Sequence, residues 1–67
     1  MPIINIDGPP TLNLDAKRSL AQALTDAAAA AYELPRDSIV VVIKENPTEN
    51  VARGGQLIVD RNASPEG

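Results

Sequence analysis

A chain of 67 residues holds one domain at most, and with 43% apolar residues it carries more aliphatic surface than so short a chain buries on its own. It has no His, Cys, Trp or Phe and a single Tyr, which excludes imidazole bases, thiol nucleophiles, disulfides, His/Cys metal cages and the aromatic platforms on which single-stranded nucleic acid stacks. The net charge of −3 argues against a nucleic-acid or anionic-membrane surface, and no stretch has the pattern of a membrane span or signal peptide, so a soluble cytoplasmic protein without metal or cofactor is expected.

Residues 3–6 (Ile3-Ile4-Asn5-Ile6) read as a short strand, closed by the breaker cluster Asp7-Gly8-Pro9-Pro10. Asn13 then reads as a helix N-cap, with Asp15 in the first turn where it favours the helix dipole. Residues 14–33 have helical periodicity. Leu20, Leu24, Ala27, Ala31 and Leu34 form one apolar stripe, with Asp15, Arg18, Gln22, Asp26 and Glu33 on the opposite face. Pro35 stops the helix. Residues 38–45 read as a second strand, in which Ile39-Val40-Val41-Val42-Ile43 are β-branched without alternation, the pattern of a strand covered on both faces. Residues 46–50 read as loop, Gly54-Gly55 as a tight turn, residues 56–59 as another short strand, and residues 62–67 as a disordered polar tail. The domain is set at residues 1–62, with 63–67 left as tail.

Strand, helix of about 20 residues and strand make a βαβ unit with a right-handed crossover. Two strands and one helix leave open edges and one bare sheet face. Pairing across a two-fold gives a four-stranded sheet with two helices on one side, and further copies are needed to bury the other side. An assembly larger than a dimer is therefore expected.

The residue types left for chemistry are few, and Pro2 stands out among them. In mid-chain a proline nitrogen is a tertiary amide with neither a proton nor useful basicity. If Met1 is removed, the same nitrogen becomes a secondary amine able to act as a base. In an apolar pocket its charged form is disfavoured, so its pKa falls towards the working pH, where a base is most effective. Ile3, Val40 and Val51 are residues of the kind that make such a pocket.

The combination of Pro2-Ile3-Ile4-Asn5-Ile6, a helix ending at Leu34-Pro35, the strand Ser38-Ile39-Val40-Val41-Val42-Ile43-Lys44-Glu45 and Pro47-x-Glu49-Asn50-Val51-x-x-Gly54-Gly55 resembles the 4-oxalocrotonate tautomerase family from residue 2 to about residue 61. The resemblance implies an α+β chain, a βαβ tautomerase-type subunit with a short C-terminal strand or hairpin, assembled as a hexamer (a trimer of dimers). It also implies an isomerase in which the amino-terminal Pro2 is the general base for enol–keto proton transfer on a small 2-hydroxydienoate or 2-oxo acid, as in the degradation of aromatic compounds. Relatives dehalogenate or decarboxylate small acids, using the proline as an acid. The implied partners are a small organic acid and further copies of the chain, or a paralogue in a mixed hexamer.

The family's best-known members bind substrate with two arginines, at positions held here by Leu12 and Val40, and their aromatic wall position is Val51. Val40 and Val51 thus join the substrate-binding set as apolar members. Arg53 follows Val51 by two residues, in a loop that contributes to the family's site. Its guanidinium there binds a carboxylate and stabilises an enolate, or it is a solvated loop arginine. Ser38 matches a pocket position, while its simpler reading is a polar residue at a strand entrance. Arg61 reads as a surface or intersubunit ion-pair partner, and Lys17 as a side chain laid over the helix's apolar stripe. The missing cations also fit a different class of function, a non-catalytic subunit whose partner carries the arginines.

Overall fold

The computed structural model describes residues 1–63. β1 (Ile3–Gly8) leads into α1 (Leu14–Tyr32), which returns to β2 (Val40–Glu45). A short antiparallel pair, β3 (Ala52–Arg53) and β4 (Gln56–Leu57), is followed by the helix α2 (Ile58–Ala63). β1 and β2 pair in parallel from Ile3 opposite Val40 to Gly8 opposite Glu45, as expected for strands joined by a crossover helix.

The helix is bounded as its sequence dictates. Asn13 is the N-cap: its backbone is extended and its Oδ1 accepts from the amide of Ala16 at 2.7 Å, with Asp15 in the first turn. At the other end Glu33 takes the left-handed conformation, φ 56°, and its amide donates to the Ala29 carbonyl, so the chain turns out of the helix before Pro35. Because Asn13 satisfies an amide that would otherwise lack a partner, Asn13→Ala is expected to cost about 1 kcal/mol. Asn13→Gly should cost only a few tenths. Urea unfolding of the three proteins at one protein concentration measures the difference.

Strand alternation sorts the sheet into two faces. Ile4, Ile6 and Gly8 of β1 are half-buried beneath α1, as are Val41, Ile43 and Glu45 of β2. Ile3, Asn5 and Asp7, with Val40, Val42 and Lys44, make up the other face, which no element among the described residues covers. Ile39, 9% exposed, is the one buried apolar residue among those described. The radius of gyration is 15.8 Å, against roughly 11 Å for a compact domain of this length. The accessible surface, 5068 Å², exceeds the ~4,100 Å² of a compact monomer of this mass. A chain this open does not have a core of its own; its apolar surface is available to other chains.

The structure corrects five sequence expectations. β1 does not close at Ile6 but runs on through Asp7 and Gly8, which pair with Lys44 and Glu45. β2 begins at Val40, not at residue 38, because Pro35 starts a 3₁₀ turn over Arg36–Ser38 closed by Ser38 and Ile39 amides donating to the carbonyls of Pro35 and Arg36, each at 3.0 Å. Pro47 does the same for the turn Thr48–Asn50 inside the expected loop. The last strand ends at Leu57: the Ile58 amide donates back to the Val51 carbonyl at 2.8 Å, and Ile58 and Val59 enter α2 instead of extending a ladder that has no longer partner. Finally, the half-buried side of α1 runs through Leu20, Leu24 and Ala28 with Ala21 and Thr25 beside them, leaving Ala27 and Ala31 exposed and Leu34 40% exposed. The alanine run is apolar on nearly every side, so the sheet decides which alanines face inward. Residues 64–67 of the expected tail lie outside the described residues, and α2 takes in Ala63.

The Gly54-Gly55 turn is where it was read. Both residues have positive φ, 61° and 84°, which a two-residue hairpin with the twist of its strands requires.

Candidate active site

Pro2 precedes β1 and is half-buried; its carbonyl accepts from the amide of Val40 at 3.0 Å. That bond sets Pro2 beside the entrance to β2, with Ile3 directly opposite Val40 and Ser38 and Ile39 just before it. Pro2, Ser38 and Val40 are therefore gathered at the N-terminal end of the parallel pair. Met1 is 83% exposed, so no packing holds it in place.

Val51 and Arg53 lie at the opposite end. Val51 lines a groove of about 290 Å³ with Asp7, Gly8, Pro9, Asn46, Thr48 and Ile58, where the strands leave the sheet. Arg53 is exposed on β3, opposite Gln56. Five residue steps along β1 separate the two ends, about 17 Å of strand. One chain thus does not bring its five candidate residues into one pocket: it presents Pro2, Ser38 and Val40 at one end and Val51 and Arg53 at the other. Strand periodicity reports which face a residue occupies but not which end of the sheet a later hairpin returns to, so this division was not legible in the sequence.

Leu12 lies in a second groove, about 260 Å³, between α1 and the sheet, with Ile6, Thr11, Leu20 and Ile43. At its rim the Lys17 ammonium pairs with the Glu45 carboxylate, both half-buried. Lys17 thus does more than cover the apolar stripe with its stem; it ties the start of α1 to the end of β2. Two further cations are engaged within the chain. Arg18 meets Asp15 at 2.6 Å, and Arg36 meets Asp26 at 2.7 Å, linking the 3₁₀ turn to α1. The Arg36–Asp26 pair was missed in the sequence because the two residues belong to different elements, and only the path around Pro35 brings them together. The Asn46 side-chain amide donates to Asp7 at 3.3 Å, across the ends of the two strands.

Among the described residues there is no group of three or more carboxylates that could hold a metal ion, and no helix long and apolar enough to cross a membrane. What the arrangement offers is Pro2 beside Ile3 and Val40 at one end and a guanidinium on a hairpin at the other.

A family model described as "Tautomerase enzyme" matches residues 2–61. The solved structure of TomN, a 4-oxalocrotonate tautomerase homologue of the tomaymycin biosynthetic pathway, is 30% identical, with a TM-score of 0.87 over 96% of this chain and 98% of that one. The chain belongs to the 4-oxalocrotonate tautomerase family. Its βαβ fold with a short C-terminal hairpin is the family's, as the resemblance implied. DmpI from Archaeoglobus fulgidus is 39% identical over 88% of this chain and all of that one, TM-score 0.76. A heterohexameric 4-oxalocrotonate tautomerase from Chloroflexus aurantiacus J-10-fl is 30% identical over 90% of this chain and 97% of that one, TM-score 0.80. No curated protein matches the chain in sequence. Membership of the tautomerase superfamily supports isomerase activity in general terms.

Proposed function

We propose that the chain is a cytoplasmic isomerase that interconverts enol and keto forms of a small 2-hydroxydienoate or 2-oxo acid, with Pro2 as general base once Met1 is removed. The observation that carries this reading is the setting of Pro2: the register bond to Val40 holds it beside Ile3 and Val40, and the residue that blocks its nitrogen is almost wholly exposed. The secondary amine takes the proton of the 2-hydroxyl. The O–H electron pair becomes the second carbon–oxygen bond, and the displaced double-bond electrons move along the chain to accept the proton back at carbon 3 or carbon 5. A single base serves both transfers, so neither metal nor cofactor is required.

The distance between Pro2 and Arg53 within one chain supports a site completed by other copies. The hairpin end of one chain, with Val51 and Arg53, meets Pro2 of another, and Arg53 binds the carboxylate and the developing enolate. The bare face of Ile3, Val40 and Val42 and the two open strand edges supply the surfaces for a hexamer built as a trimer of dimers.

The measurement that tests the reading is the intact mass of the protein from its own cells, followed by turnover assays on 2-hydroxydienoates. A mass lower by one methionine with measurable turnover is the expected result. Retained methionine leaves the nitrogen an amide and overturns it.

A second reading has its own support. Leu12 and Val40 stand where the family's best-known members carry arginines, and one similar protein is a heterohexamer. In that reading the chain is the partner subunit of a mixed hexamer. Native mass spectrometry of the complex from its own cells separates the two: a second tautomerase-like chain supports mixed assembly, and a single chain mass excludes it.

A further inference from the structure

We infer that the Pro2 site takes 2-oxo and 2-hydroxy acids bearing one carboxylate and an apolar tail, and discriminates against dicarboxylates of the same length; this rests on the reading of Pro2 as the site's centre. The distribution of charge over the chain carries it. At the Pro2 end the elements leading into β2 carry three carboxylates, Asp26, Glu33 and Asp37, against one guanidinium, Arg36, which Asp26 already engages. At the other end Lys17 is taken up by Glu45 and Arg18 by Asp15, while Lys44 stands opposite Asp7 on the bare face. Arg61 follows Asp60 on α2. Arg53, like Lys44 and Arg61, has no ion pair among the described residues, and of the three it is the one that the proposed site sets beside Pro2.

One guanidinium at that site satisfies one carboxylate bidentately. A second carboxylate on the same ligand would meet the surroundings of Val40, Ile3 and Val51. Those side chains offer no donor, and a charge brought against them loses its hydration without compensation. The nearby excess of carboxylates adds repulsion. An alkyl or aryl tail in that space has the opposite balance: Ile3 is 56% exposed and Val51 39% exposed in the single chain, apolar surface that a ligand tail would cover.

The test separates ligand class from chemistry by using stable 2-oxo acids of equal length. 2-Oxohexanoate and 2-oxoadipate differ only in a terminal methyl against a terminal carboxylate, and calorimetric titration of the assembled protein measures their binding. The monoacid is expected to bind about tenfold or more tightly, and Val40→Arg is expected to reverse the order by supplying the second cation. Equal or tighter binding of 2-oxoadipate by the unmodified protein overturns the inference. So does a Val40→Arg variant that stays assembled and keeps the monoacid preference. The matching enols, 2-hydroxyhexa-2,4-dienoate and 2-hydroxymuconate, are then assayed for turnover. Selective binding of the monoacid with no turnover of either enol leaves the ligand class standing and sinks the catalytic role of Pro2.

Discussion

Replacing Pro2 with alanine lowers turnover of the preferred 2-hydroxydienoate by roughly 10²- to 10⁴-fold, the share that a positioned general base contributes, and leaves the mass of the assembly unchanged. The two halves of this expectation have separate physical origins. Pro2 holds its place through its backbone carbonyl, which accepts from Val40, and alanine keeps that carbonyl. The ring is lost, and with it the fixed φ that aims the nitrogen and the secondary amine's basicity. A primary amine with free rotation still titrates, so a residual rate is expected. The loss should fall on kcat more than on KM, because the carboxylate anchor proposed at Arg53 is untouched. Sedimentation of both proteins, with steady-state kinetics on the same samples, checks both halves. Full activity in Pro2→Ala would remove the proline from the mechanism, and loss of assembly would make it a structural residue instead.

The fold was legible wherever residue types leave little choice. Asn13 and the Glu33-Leu34-Pro35 exit bound α1 because an amide-accepting side chain and a proline each allow few backbone states. Gly54-Gly55 marks its hairpin because both residues must take positive φ. Legibility failed where several outcomes share one composition. Ile58 and Val59 are β-branched and read as strand, yet a strand needs a partner, and β3 offers only two residues. The alanines of α1 present no contrast between faces, so the spacing that selected Ala27 and Ala31 was no better grounded than the one the sheet uses, through Ala28. Of the candidate site, the sequence indicated that Pro2 has Ile3 and Val40 as apolar neighbours, because the register of two parallel strands follows from their ends. It gave no account of how Val51 and Arg53 relate to Pro2. That relation depends on where the hairpin lies and on which copy it meets, and neither is written in periodicity.

Val42→Asp is expected to abolish assembly and, with it, most of the folded population. Val42 sits in the middle of β2 on the face that α1 does not cover, opposite Asn5 in the register, and is 36% exposed in the single chain. If further copies cover that face, an aspartate there is stripped of water. Its short side chain cannot reach back to solvent, and Lys44, the nearest cation on the same face, already stands opposite Asp7. An uncompensated buried charge costs several kcal/mol, and symmetry repeats the cost in every copy. The chain has little to fall back on: with Ile39 as its one buried apolar residue among those described, the separated subunit lacks the core to remain folded. The variant should therefore sediment as a species near 7.1 kDa and lose most of its helical circular dichroism at micromolar concentration. Gln22→Asp, which adds the same charge on the exposed polar face of α1, should sediment and melt as the parent does. A Val42→Asp variant that keeps the parent's mass and melting curve would show that the bare face is not where copies meet.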